Sequence, residues 1–169
     1  MRALKSLGTA LTAALVYGST LTTAFAHWQF TKWGMSPDQV VEASNGTAQT
    51  HLKISGSSAD DYDHLSSGEY SSTGFDFQVH FLFRRQTGRL EVVNLMLNDS
   101  SKCRSLFATL KLSYGKPIQE IDEPGVLRAY VFRDLDAMNQ VNAIAIGGLE
   151  ATTDCVVQYR EIVKPGSGL

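Results

Sequence analysis

The clearest periodic signal in the chain lies at residues 75–83, where Phe75, Phe77, Val79, Phe81 and Phe83 alternate with Asp76, Gln78 and His80. A period of two puts the apolar set on one face and the polar set on the other, as in a half-buried antiparallel strand. The polar residues 84–89, with Gly88, read as a short turn into a second strand at 90–97, so the two segments predict a hairpin. Residues 50–55 alternate more weakly, with Leu52 and Ile54 on one face. Three further strands are expected at 127–133, 141–146 and 153–161.

Two helices interrupt the strands. Ser36-Pro37-Asp38-Gln39 carries the signals of a helix start: Ser36 caps, Pro37 fits the first helical position, and Gln39 closes a capping box. Met35 and Val40 stand where a hydrophobic staple forms, and Asn45-Gly46 marks the stop. A second helix is capped by Asp99 or Ser100. Its Cys103, Leu106, Phe107, Leu110 and Tyr114 keep the 3.6-residue spacing of one buried stripe, and Gly115 and Pro117 end it. The order helix, strand, strand, strand thus occurs twice. The predicted fold is α+β: two helix-strand-strand-strand repeats forming an antiparallel sheet, with both helices packed on one face over the Phe stripe.

Residues 1–26 read as an export signal: Arg2 and Lys5 precede an apolar stretch centred on 11–16, and Ala24-Phe25-Ala26 offers a small-x-small cleavage pattern between Ala26 and His27. The stretch is too short and too interrupted by Gly, Ser and Thr for a membrane span of about 20 apolar residues. Removing it leaves 143 of the 169 residues and moves the formal charge from −2 to −4. Residues 27–163 are expected to form one α+β domain, with 164–169 a flexible tail. Without a basic tract beyond Arg84-Arg85, nothing suggests a nucleic-acid partner. The expected location is periplasmic or secreted, without an integral membrane segment after processing. Two cysteines in an exported chain imply a disulfide, Cys103–Cys155, closing a loop of about 50 residues worth on the order of 4 kcal/mol in the chain-entropy model. A zinc or redox site would need a Cys-x-x-Cys pattern that this chain lacks.

"WGMSPDQVVEAS", the apolar hairpin, a Cys-bearing helix ending in "YGKP" and a last strand with "CVVQY" together resemble a family of small uncharacterised exported proteins of Gram-negative bacteria. The resemblance spans most of residues 31–160, with Trp33 to Val40 its tightest motif. The duplicated helix-plus-three-strands pattern is similar to the fold of the β-lactamase inhibitor protein and, in its half unit, to small outer-membrane assembly lipoproteins. What this implies is a binding or structural role without catalysis. No Cys near the cleavage point is present to carry a lipid.

Candidate chemistry is sparse. Cleavage after Ala26 would expose His27, whose amine and imidazole suit Cu(II) if His51, His64 or His80 completes the site. A small copper-binding protein is therefore the alternative reading, beside no resident cofactor and no metal. The Ser-, Gly- and carboxylate-rich residues 56–74 read as a long loop. Asp60, Asp61, Asp63 and Glu69 there are hard-cation ligands in type but lack the EF-hand spacing. Tyr62, His64 and Tyr70 make the same loop the candidate for contact with a partner, expected to be another envelope or extracellular protein. Trp28 and Trp33 are expected to pack at the core or its rim. No Gly-x-Ser-x-Gly, His-Glu-x-x-His or Gly-rich phosphate loop occurs. A hydrolytic arrangement would have to be assembled in space from His64, His80 and loop carboxylates.

Overall fold

All five apolar residues of the Phe75–Phe83 stripe are buried, while Asp76 and Gln78 between them are exposed. The computed structural model that establishes this describes residues 27–51 and 61–162. The expected export signal, the cleavage residue Ala26, most of the strand expected at 50–55, and the tail 164–169 lie outside the described residues.

The elements run α1 (Pro37–Ala43), β1 (Ala48–Thr50), β2 (Tyr62–Ser72), β3 (Phe75–Arg84), β4 (Arg89–Leu97), a 3₁₀ turn (Ser100–Lys102), α2 (Cys103–Tyr114), β5 (Gln119–Glu123), β6 (Leu127–Asp134), β7 (Asn139–Ile146) and β8 (Asp154–Glu161). The strands form one eight-stranded sheet in the order β1-β2-β3-β4-β8-β7-β6-β5, antiparallel at every pairing. The α+β class with an antiparallel sheet and two helices is therefore as expected. Among the described residues four strands, not three, follow each helix.

Both additional strands escape periodicity for physical reasons. β2 occupies much of the segment expected as a loop. Its enclosed side chains are His64 and Ser66, so it buries polar groups where the alternation rule looks for apolar ones. Its pairing with β3 closes through Thr73 and Gly74, whose φ angles of 51° and 82° are the two positive values a tight hairpin turn of type I′ requires. β5 pairs on one side only, and its single apolar residue is Ile121. Glu120, Asp122 and Glu123 face solvent, as suits an edge strand that must not recruit another.

α1 begins as its sequence requires. The Ser36 backbone N–H donates to Gln39 Oε1 at 2.9 Å, and Gln39 N–H donates to Ser36 Oγ at 3.4 Å. Asp99 accepts from the Ser101 N–H and opens the 3₁₀ turn that leads into α2. The core unites Val40 of α1 and Cys103, Leu106, Phe107 and Leu110 of α2 with the inward residues of the strands, among them Phe81, Val93, Val157, Val141 and Phe132. Each such large side chain, fully buried, contributes roughly 1.5–3 kcal/mol. Cys103, the first residue of α2, is bonded to Cys155 of β8 across a Cα–Cα distance of 5.8 Å. Trp28 is 6% exposed and meets Tyr70, Phe81 and Tyr159 with ring centroids 5.5–6.2 Å away. Trp33, half-buried, packs against the same core.

Gly68 of β2 is required by a close approach. A Cβ there would lie 2.6 Å from the Thr47 carbonyl oxygen, where the chain from α1 enters β1.

Candidate functional site on the second sheet face

Alternation sends the remaining strand residues to the face opposite the core. Across its middle, pairing aligns Ser67, His80, Asn94, Gln158 and Asn142 from five successive strands. Three hydrogen bonds link the amides in one direction: Gln140 Nε2 donates to Asn142 Oδ1 (2.9 Å), Asn142 Nδ2 to Gln158 Oε1 (3.1 Å), and Gln158 Nε2 to Asn94 Oδ1 (3.0 Å). Each amide is held by its neighbours and still keeps donor or acceptor capacity for another group. Beside this row an apolar strip crosses the same strands, with half-buried Met96 of β4, Val156 of β8 and Ile144 of β7 and exposed Ile146.

On the β1–β3 side three imidazoles meet. The His64 and His80 rings stack at 4.3 Å between centroids, and His51 meets His64 edge-on at 5.8 Å. His51 Nε2 also shares a short hydrogen bond with Ser67 Oγ. Burial, then the nearby His64 and His51, pushes His80 down to about 4. His64 is lowered by burial and then by His51, against an opposing backbone hydrogen bond at Ser66. His64 and His80 therefore stack as neutral rings near pH 7. The enclosed His64 Nε2 has no hydrogen-bond partner among the described residues.

Where β4 begins and β8 ends, a cleft of about 540 Å³ opens among Trp33, Tyr62, Arg84, Arg89, Glu91 and Arg160. Arg84 pairs with Glu91 at 2.6 Å and donates to the Tyr62 hydroxyl at 2.7 Å. The bond to Glu91 is the first cause of its raised pKa. On the core side, a second cleft of about 320 Å³ lies between α2 and the 27–29 segment. Tyr114 and Tyr159 share a hydroxyl contact of 3.3 Å there, and burial pushes both phenols upward.

The residues singled out from sequence are thus divided. Tyr62 and His64 point to the second face, because they pair with Arg84 and Leu82. Tyr70 points to the core face, where it accepts from Gln29 Nε2 (3.2 Å) and packs on Trp28. Eight strand residues set Tyr62 and Tyr70 about 25 Å apart, so they do not form one contact loop. The loop expected over 56–74 is corrected: its described part from Tyr62 to Ser72 is strand β2.

His27 is exposed beside Trp28 on the core side, and its carbonyl accepts from Asn139 Nδ2 at 2.7 Å. His51, His64 and His80 stand on the other face, so the geometry does not bring them to His27. Among the described residues no three His, Cys, Asp or Glu side chains are arranged to hold a metal ion. Asp61 and Asp63 are paired with Arg84 and Arg85 rather than with a histidine. Ser67 is the hydroxyl that reaches an imidazole. Sequence reasoning did not connect the amide row, Arg160 or the meeting of three histidines, although His80, Asn94 and Gln158 all lie at polar positions between apolar ones.

Comparison with protein-family models, with curated proteins and with solved structures finds no match. Among the described residues, no helix is long and apolar enough to cross a membrane.

Proposed function

We propose that the protein is an exported, non-catalytic binding module that engages another envelope or extracellular protein through the sheet face opposite its core. The observation that carries this reading is the amide row Gln140–Asn142–Gln158–Asn94. A set of polar side chains fixed by one another has little rotamer freedom left to lose on binding, and its spare amide groups match the hydrogen-bonding edges of a partner. The apolar strip of Ile144, Val156 and Met96 beside it supplies the desolvated centre an interface needs. The Cys103–Cys155 bond and the export-signal pattern of residues 1–26 support a periplasmic or secreted location. The element order, a helix and four strands written twice about the β4–β8 seam, supports an internal duplication with both helices on one face. The resemblance to small exported Gram-negative proteins and to the inhibitor-type repeat points the same way.

A photo-crosslinking residue at position 142 tests the reading in the producing cell. Expected is one discrete adduct with an exported protein from position 142 and none from position 112, since Leu112 is an 88% exposed residue of α2. Equal adducts from both positions, or none from 142, would overturn it.

A further inference from the structure

The Tyr62 ring is flanked by two guanidinium groups, and the carboxylates beside it serve one of them. Arg84 Cζ lies 4.8 Å from the ring centroid and Arg160 Cζ 5.9 Å. Arg84 takes Glu91 at 2.6 Å and Asp61 at 3.7 Å. The Arg160 side chain makes no hydrogen bond or ion pair among the described residues, and its Nε is enclosed without an acceptor. An aromatic face steadies a guanidinium but leaves its in-plane N–H donors unanswered. The enclosed Nε is out of a ligand's reach, but the terminal nitrogens of the same guanidinium have no partner among the described residues and keep their donors for an incoming acceptor.

Arg160 borders the 540 Å³ cleft, to which half-buried Trp33 contributes apolar surface. Arg89 lies in the same cleft and spends one bond on the Gly34 carbonyl (3.2 Å). Arg84 is answered by Glu91 and Asp61, while Glu161 is the carboxylate that lines the cleft beside Arg89 and Arg160. We infer that this cleft is a binding site for a small organic carboxylate, whose oxygens take the Arg160 fork while its carbon part lies against Trp33. A planar fork favours a planar carboxylate with two parallel N–H···O bonds. This site uses other residues than the amide row and stands whether or not a protein docks there.

The test titrates the folded, oxidised protein with benzoate, and in parallel with benzamide and inorganic phosphate, following binding by calorimetry and the indole N–H resonances of Trp33 and Trp28. Benzoate should bind saturably and shift Trp33 but not Trp28, while benzamide, lacking the charge, should be silent. Arg160→Gln should weaken benzoate about tenfold or more, as expected for loss of a charge-assisted fork, and Arg160→Lys should weaken it less. Arg104→Gln, at an exposed arginine paired with Glu150 on α2, should leave it unchanged. If Arg160→Gln does not fold, the Trp33 shift and the lysine variant still decide. Benzoate binding that survives both Arg160 changes, equal binding of benzamide, or tighter binding of phosphate than of benzoate would each overturn the carboxylate site.

Discussion

The indole N–H of Trp33 donates to Asn139 Oδ1 at 3.0 Å across 106 residues of chain. The same amide gives its Nδ2 hydrogen to the His27 carbonyl at 2.7 Å. One buried side chain therefore fastens residues 27–33 to β7 at two points, and Trp28 between them is carried onto the core.

Replacing Asn139 by Ala should strand both partners. Buried hydrogen bonds of this kind contribute about 1 kcal/mol each, and more where a group is left unsatisfied. Expected is a loss of roughly 2 kcal/mol in denaturant unfolding, with tryptophan emission moving to longer wavelength in the native state as Trp33 loosens. Unchanged stability and emission would show that the segment is held by Trp28 packing alone.

Reduction of Cys103–Cys155 should raise the mass by about 2 units and lower stability by about 2–4 kcal/mol, the range for a bridge closing a loop of this size. The double replacement by Ala should reproduce the loss in a form that reductant no longer affects. A mass that does not change on reduction would remove the bond.

The histidine group predicts acid sensitivity with a definite sign. His80 has its folded pKa lowered to about 4 from 6.5, so the unfolded chain binds the proton more readily between those values. Its contribution to stability is complete above pH 6.5, falls as the pH drops through the window, and is exhausted near pH 4. At about 1.4 kcal/mol per pKa unit, discounted for partial exposure, the loss is on the order of 2 kcal/mol. His64, lowered in the same direction, adds to it. The variant His80→Gln should flatten this limb of the stability–pH curve; an unchanged limb would assign the acid effect to other groups.

Gly68→Ala should destabilise although the change lies in a strand, where Ala ordinarily outranks Gly. The added Cβ meets backbone, the Thr47 carbonyl at 2.6 Å, which cannot rotate away. A loss of about 1–3 kcal/mol is expected from such overpacking, measured by thermal unfolding. A neutral result would mean that β1 shifts freely against β2.

The legible parts of this fold were those in which apolar side chains carry the pattern. β3 and β4 could be read from the Phe and Leu alternation, and α1 from a capping box whose two hydrogen bonds are both formed. The cysteine pair followed from number and compartment. β2 was hidden because it encloses His64 and Ser66, and β5 because an edge strand with one apolar residue resembles a loop. The site was less legible than the fold, since register between strands distant in sequence decides which polar residues meet. Asn94, Gln158 and Asn142 align only once β8 has been placed between β4 and β7. Tyr62 and Tyr70, near in sequence, are separated by the length and the two faces of one strand.

That placement of β8 has a consequence for how the molecule is made. The last of the described strands in chain order is a central one: Met96 of β4 waits for Val156, sixty residues later. Until then β1–β4 and β5–β7 are two half-sheets, each built from neighbours in sequence and each with a raw inner edge. A chain ending before Asp154 would thus keep every other strand and lose the seam that makes them one body, with Cys103 left without its partner. Losing β8 divides the sheet down the middle.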